Sequence, residues 1–197
     1  MQKLLAIFFM FINLGVLAMA QNINNKQLIF EMELKASVED VYNTWTTNEG
    51  IQTFFAPGCD IEMKLFGNFH IYFFPENPPG SRGAEDEILI AHEENKMLSF
   101  TWGFPPSLMK LRENQKTIVL IRFKEIDDHT TKLTFIQSGW GDGEEWQKGF
   151  EYFDVAWGKV VLARLKYRFE HGPVDWKNPP DFNEYEVKRT TQPSALE

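Results

Sequence analysis

The stretch QSGWGDGEEW, residues 137–146, gathers three carboxylates, two tryptophans and three glycines in ten positions. Carboxylates at that density can ligate a cation or divide acid and base roles between them. A local duty competes with both. Asp142 and Glu145 have the D-x-x-E spacing of a capping box, and Asp142, Glu144 and Glu145 would all stand at the positive end of a helix dipole. That duty uses all three charges, so the segment is read as the corner where a strand hands over to a helix.

The other reactive groups are dispersed. His70, His92, His129 and His171 are scattered, and the chain holds no HExxH, CxxC, calcium-loop, phosphate-loop or G-x-S-x-G pattern. Gly80-Ser81-Arg82-Gly83 resembles an anion nest weakly and fits a turn better. Glu85-Asp86-Glu87 and Glu93-Glu94 read as solvated edges. Cys59 is the single cysteine, so no internal disulfide forms, and with no His or cation close in sequence it reads as an inert buried thiol. His70 and Tyr72 share a strand face opposite Phe69, Ile71 and Phe73; with Phe69 turned inward, His70 lies outside. The expectation is therefore no catalytic residue, no metal site and no cofactor.

The chain opens MQKLLAIFFMFINLGVLAMA, with a cation at Lys3, an apolar run and then Ala18-Met19-Ala20. This is the order of a secretory signal peptide over residues 1–20, cleaved before Gln21, and it sends the protein to a secreted or periplasmic location. An uncleaved anchor is the rival reading, but the run is shorter and more polar than a spanning helix requires, so no stable membrane insertion is expected after cleavage. Removing 20 of the 197 residues leaves 177, enough for one domain, placed at 21–170 with a tail at 171–197. The formal charge of −8 leaves nucleic acid and anionic lipid without electrostatic support as partners.

Hydrophobic periodicity supplies the elements that must position any site. Gln27–Lys35 alternates as a half-buried strand, with Leu28, Phe30, Met32 and Leu34 on one face. Ser37 then caps a helix carrying Val38, Val41, Tyr42 and Trp45, followed by a second short helix at about Thr47–Phe55. Strands are expected at Asp60–Leu65, Asn68–Phe74, Glu85–His92, Met97–Phe104, Lys116–Ile126 and Thr131–Ser138, forming one curved antiparallel sheet of seven strands. From Asp142 a helix of roughly 25 residues, with Trp146, Phe150, Phe153, Trp157, Val160, Val161 and Leu165 at helical spacing, runs to about Phe169. Gly172-Pro173 stops it, and the tail beyond is expected to be extended or partly disordered, with Trp176 and Phe182 able to tether parts of it.

The segments ASVEDVYNTWTTNEGIQTFF, MLSFTW and TKLTFIQSGWGDGEEWQKGFEYFDVAW resemble the START-like (SRPBCC) superfamily, in the branch related to the activator of the Hsp90 ATPase. The resemblance spans about Gln27–Phe169. It implies an α+β helix-grip (START/Bet v 1-like) fold, a curved antiparallel sheet wrapped around a long C-terminal helix with a cavity between them. It also implies one of several functions: binding of lipids, sterols, hormones or polyketides, cyclase or hydrolase activity, or protein binding. Gln137 stands where many relatives carry a histidine facing the cavity, so activity resting on that imidazole is not implied here.

On this reading Trp45, Phe55, Phe69, Phe73, Phe100, Trp102, Phe123, Phe135, Trp146, Phe150, Phe153 and Trp157 face the cavity, and Gln137 is its polar handle. Each aromatic can equally serve as core packing. A small hydrophobic or aromatic ligand, without catalysis, is the first expectation. A cyclase- or hydrolase-like enzyme using the same cavity and an interaction module with an unidentified protein partner are the alternatives.

Overall fold

The computed structural model describes residues 26–190. The expected signal peptide and residues 191–197 lie outside this range. Strand β1 (Leu28–Leu34) leads into helices α1 (Val38–Thr46) and α2 (Asn48–Gln52). Strands β2 (Gly58–Ile61), β3 (Phe69–Tyr72), β4 (Gly83–Ala84), β5 (Leu89–Glu93) and β6 (Met97–Trp102) follow. After a short helix α3 (Met109–Asn114) come β7 (Thr117–Asp127) and β8 (Thr130–Ser138). The chain then enters α4 (Glu144–Val155), a π-helical segment (Ala156–Val161) and α5 (Leu162–His171), which together make one 28-residue helix.

Local chemistry explains the element starts. The Ser37 hydroxyl accepts the Asp40 N–H at 3.1 Å to begin α1, and Thr47 accepts from Gly50 at 3.0 Å to begin α2. The long helix departs from the capping-box expectation: it starts at Glu144 behind Gly143, whose φ of 105° is reserved for glycine, and no side chain bonds at the cap. Glu144 and Glu145 instead pair with Lys148 one turn on.

The sheet also differs from a single seven-stranded ladder. Five strands run in the order β1-β8-β7-β6-β5, and β2-β3-β4 form a second sheet, all antiparallel. The expected strand Glu85–His92 is shortened at its start, with β5 beginning at Leu89, because two of its acids turn toward local donors. Glu85 accepts backbone N–H groups from Gly80 and Arg82, and Glu87 turns inward to Thr101, Gly103 and Lys116. Backbone bonds from Phe69 to Glu87 and from Leu89 to Gly67, both 2.9 Å, still stitch the two sheets together. Phe69 also stacks on Phe100 with ring centroids 4.0 Å apart.

Alternate residues along the strands face the helix. Leu98, Phe100 and Trp102 on β6, Val119, Ile121 and Phe123 on β7, and Leu133, Phe135 and Gln137 on β8 are all buried. On the helix, Phe153, Trp157, Val161 and Leu165 answer them at intervals of four. Each such step overshoots a 3.6-residue turn by about 40°. The wider π turn at Ala156–Val161 offsets part of that drift, and all four side chains stay buried.

One polar chain fixes the helix to the sheet. The Trp157 indole N–H donates to the Gln137 carbonyl oxygen at 2.7 Å, the Gln137 amide donates to the Thr117 hydroxyl at 2.8 Å, and that hydroxyl donates to the Trp102 carbonyl at 2.8 Å. Gln137 and Thr117 are both 0% exposed.

The tail, irregular apart from one 3-10 turn (Asn183–Tyr185), folds back on the domain through residue 190. Val174 bonds the Thr53 carbonyl, the Trp176 indole bonds the Gln52 carbonyl, and Val187 donates to the Gly158 carbonyl within the π segment. A side chain at position 158 would meet the Val187 carbonyl at 2.6 Å, so this approach requires glycine. Arg189 and Thr190 then bridge to Phe30 and Ile29, covering the otherwise open edge of β1.

Replacing Gln137 with Leu removes the acceptor of one buried donor and the donor to one buried hydroxyl. The expected cost is about 2–4 kcal/mol, read as a lower urea midpoint with unchanged slope. A loss below about 0.5 kcal/mol would show that packing alone holds the helix in place.

Candidate functional site

Between the long helix and the outer end of β6 the contact opens into a cavity of about 840 Å³. The helix supplies Tyr152, Phe153, Ala156, Trp157, Val160, Val161 and Arg164. Opposite stand Trp102, Gly103, Phe104 and Pro105, with Met109 and Arg112 from α3. The β3–β4 connection adds Phe73, Phe74, Gly80, Ser81, Gly83 and Ala84, and the tail adds Trp176 and Pro179. The wall is thus mostly aromatic and aliphatic, with few polar groups, as small-molecule sites usually are.

The thirteen side chains assigned to a cavity from sequence divide into four groups. Phe73, Trp102, Phe153 and Trp157 line it. Trp45, Phe55, Phe69, Phe100, Phe123 and Phe135 pack in the closed core: Trp45 meets Phe54 at 4.9 Å and Phe55 at 5.8 Å, and Phe123 meets Tyr42 at 5.5 Å. Trp146 and Phe150 pack at the start of α4 against Phe104 and Trp140. Gln137 bonds Trp157 and Thr117 and is not on the cavity wall, so its amide is a structural tie. Trp157 joins the two regions, since its ring centroid lies 4.5 Å from that of Phe135 and 5.0 Å from that of Trp102 while the residue also borders the cavity.

Of the polar groups on the wall, Arg112 and Arg164 were not singled out from sequence, and Glu87, read there as part of a solvated edge, is buried because three internal donors draw its carboxylate inward. Glu87 is 1% exposed and accepts from the Thr101 hydroxyl, the Gly103 N–H and the Lys116 ammonium, each at 2.8–2.9 Å. Arg112 donates to the Phe104 carbonyl at 2.8 Å and, more weakly, to that of Gly83 at 3.4 Å. Arg164 reaches the Phe55 carbonyl at 3.5 Å and lies near the rings of Trp176 and Phe182, while its Nε is buried with no hydrogen-bond partner. Burial pushes its pKa below the ordinary guanidinium value. The seven-residue interval from Trp157 to Arg164, two turns on one helix face, is the signal that could have found it. Arg112 has no comparable signature, because α3 is too short to show a period.

Histidines and the thiol stand apart from this wall. His70 is on the outer face of β3 beside the Tyr72 hydroxyl, at 3.4 Å, while Phe69 and Ile71 are fully buried, which matches the register expected from sequence. His92 bonds the Tyr42 hydroxyl at 3.1 Å. Burial pushes the Cys59 thiol up to about 11, with the Gln52 contact opposing and Asp60 and Glu49 adding to the rise, so it is a poor nucleophile at neutral pH. Among the described residues no three His, Cys, Asp or Glu side chains gather as metal ligands, and no helix is long and apolar enough to cross a membrane.

The loop forming one cavity wall is held by Glu85. Burial alone would raise its carboxyl, but the N–H groups of Gly80 and Arg82 and the Arg82 guanidinium outweigh it and bring the pKa to about 2, against an ordinary 4.5. A carboxylate depressed on folding stabilises above its unfolded pKa, and that contribution drains away as pH falls from 4.5 toward 2. Glu85→Gln should therefore lower the urea midpoint at pH 7, with the gap to wild type closing through that acid window. A gap that persists unchanged at the acid end would assign the loss to packing.

The family model described as Activator of Hsp90 ATPase homolog 1-like protein matches residues 35–170. No curated protein matches the sequence. Among solved structures, a conserved protein of unknown function from Enterococcus faecalis is similar at 21% identity and TM-score 0.57, over 83% of this chain and 82% of that one. The solution structure titled as an Aha1 dimer from Colwellia psychrerythraea is similar at 19% identity and TM-score 0.54, over 75% of this chain and 98% of that one. A Plasmodium falciparum protein titled as an Hsp90 activator is similar at 15% identity and TM-score 0.53, over 74% and 97%. These likenesses concern the fold, which is the helix-grip arrangement built above; the match over residues 35–170 shows that the chain belongs to the activator of Hsp90 ATPase homolog 1-like family.

Proposed function

We propose that this protein binds a small hydrophobic or aromatic molecule in the cavity between its long helix and β6, and that it does so as a secreted or periplasmic carrier or sensor. The observation that carries the reading is the cavity itself, about 840 Å³ of space walled by Phe73, Trp102, Phe104, Phe153 and Trp157 in a domain whose core is otherwise filled with rings. That volume falls in the range of drug-sized ligand sites, roughly 300–1,000 Å³. The signal-like order of residues 1–20 supports a role outside the cytoplasm.

A cyclase or hydrolase would need an acid, base or oxyanion donor facing the ligand. Glu87 is the carboxylate on the wall, and its oxygens already accept three hydrogen bonds. A protein-binding role draws support from the cavity mouth, where Phe74, Met109 and Tyr152 are 63%, 53% and 47% exposed, and from the fold shared with the Plasmodium falciparum Hsp90 activator. An exported chain would not meet a cytosolic chaperone, so a partner at this mouth would be an extracytoplasmic one.

A thermal-shift panel of lipids and aromatic compounds tests the binding reading. A ligand at a hundred times its Kd adds about 2.7 kcal/mol, a rise of roughly 5–10 °C for a domain of this size. Ala156→Phe, which fills the cavity from the helix side, should abolish the rise while leaving a cooperative melt. Equal shifts in wild type and variant would place binding elsewhere, and no shift across the panel would favour the protein-binding role.

A further inference from the structure

The cavity is apolar but not electrically neutral. Two cations, Arg112 and Arg164, and one acid, Glu87, line it. Lys116 lies 2.8 Å from both Asp86 and Glu87, so the acid on the wall already has its counter-charge. Arg112 and Arg164 have no carboxylate within ion-pair distance among the described residues, and their protein contacts are backbone carbonyls and rings. This local excess of positive charge stands in a chain whose formal net charge is −8.

Arg164 is the more exacting of the two. Its Nε is closed off without a partner, its Nη1 makes a long 3.5 Å contact to the Phe55 carbonyl, and its Nη2 takes no protein acceptor. The buried Nε is beyond a ligand's reach, so the group left for one is the Nη edge, where Nη1 is weakly bonded and Nη2 has no protein acceptor on the cavity wall. The tail contributes to holding it there, because Trp176 and Phe182 flank the charged group and Trp176 is itself anchored to the Gln52 carbonyl. A planar fork of donors so placed matches a carboxylate, which can accept two of its N–H groups at once.

Resting on the small-molecule reading of this cavity, we propose that its ligand is an amphipathic organic acid whose apolar or aromatic body lies against Trp102, Phe104, Phe153 and Trp157 and whose carboxylate meets Arg164. Arg112, on the opposite wall, adds a second positive charge to the same space. A charge-assisted hydrogen bond in a desolvated site is worth enough to separate an acid from its uncharged analogue by about ten- to a hundredfold.

The test is calorimetric titration of the mature full chain with matched pairs: decanoic acid against decanol, and 1-naphthylacetic acid against 2-(1-naphthyl)ethanol. The acid of each pair should bind at least tenfold tighter at low salt. In Arg164→Met the acid should fall to the affinity of its alcohol, while the alcohol changes less than twofold. Equal affinities for acid and alcohol in the wild type overturn the proposal and leave the apolar cavity reading standing; failure of both members to bind overturns both. Should the variant fail to fold, the wild-type acid and alcohol comparison decides by itself, and tighter binding of decylamine than of decanoic acid would overturn the proposal as well.

Discussion

The amide of Gln137 lies fully buried between sheet and helix, and each of its polar ends is committed: the carbonyl to the Trp157 indole, the NH₂ to the Thr117 hydroxyl. A buried amide that lost these partners would be left unsatisfied at a cost of a few kcal/mol, so the chain from Trp157 to the Trp102 carbonyl permits one docking depth and one rotation of the helix. Apolar packing alone is less selective, since rings of similar size can slide past one another. Here the hydrogen bonds fix the register and the rings of Phe135, Trp102 and Phe55 fill in around Trp157.

The cavity follows from that constraint. With Trp157 drawn onto β8, the inner face of the helix beyond Phe153 runs past the short end of β6, where the chain leaves the sheet at Gly103 for the Pro105-Pro106 turn and α3. The sheet offers no further strand there, and the space is bounded instead by a loop, a short helix and the tail. Each boundary has its own fastening: Glu85 on the β3–β4 loop, Arg112 on the carbonyls of Phe104 and Gly83, Trp176 on the Gln52 carbonyl. The π segment belongs to the same solution. It offsets helical drift so that Phe153, Trp157 and Val161 all stay buried, and its Gly158 lets the tail approach closely enough for Val187 to bond the helix backbone. A wider turn beside a ligand-sized space is a recurrent placement for π-helical insertions.

Much of the fold is legible in the residues. Alternation in LIFEMEL, MLSFTW and TKLTFIQ marks the strands and their inner faces, Ser37 and Thr47 mark two helix starts, and the spacing from Phe150 to Leu165 marks the long helix. Two of three departures share one cause, a local donor or backbone geometry that outcompetes a pattern, and the third is a helix with no pattern to read. Gly143 with its positive φ takes the cap position in place of Asp142; Glu85 and Glu87 leave a regular strand to satisfy N–H groups and an ammonium; and α3 forms in a stretch too short to show periodicity. The site itself was less legible, because an aromatic side chain has the same signature whether it fills space or borders it. Trp45 and Trp102 are both inward-facing, large and apolar, yet one closes the core and the other lines the cavity.

The sequence by itself determined the class of fold, the family, the inward faces of its strands and helix, and the burial of Gln137, because these rest on period and on residue type, which are local properties. The tertiary structure decided which rings meet and which stand apart, that Gln137 is a tie between elements, and that Arg112 and Arg164 share a space with Glu87. Those relations join residues that lie far apart along the chain. They depend on the depth and rotation at which the helix docks and on the path of the tail, and many-body packing sets both.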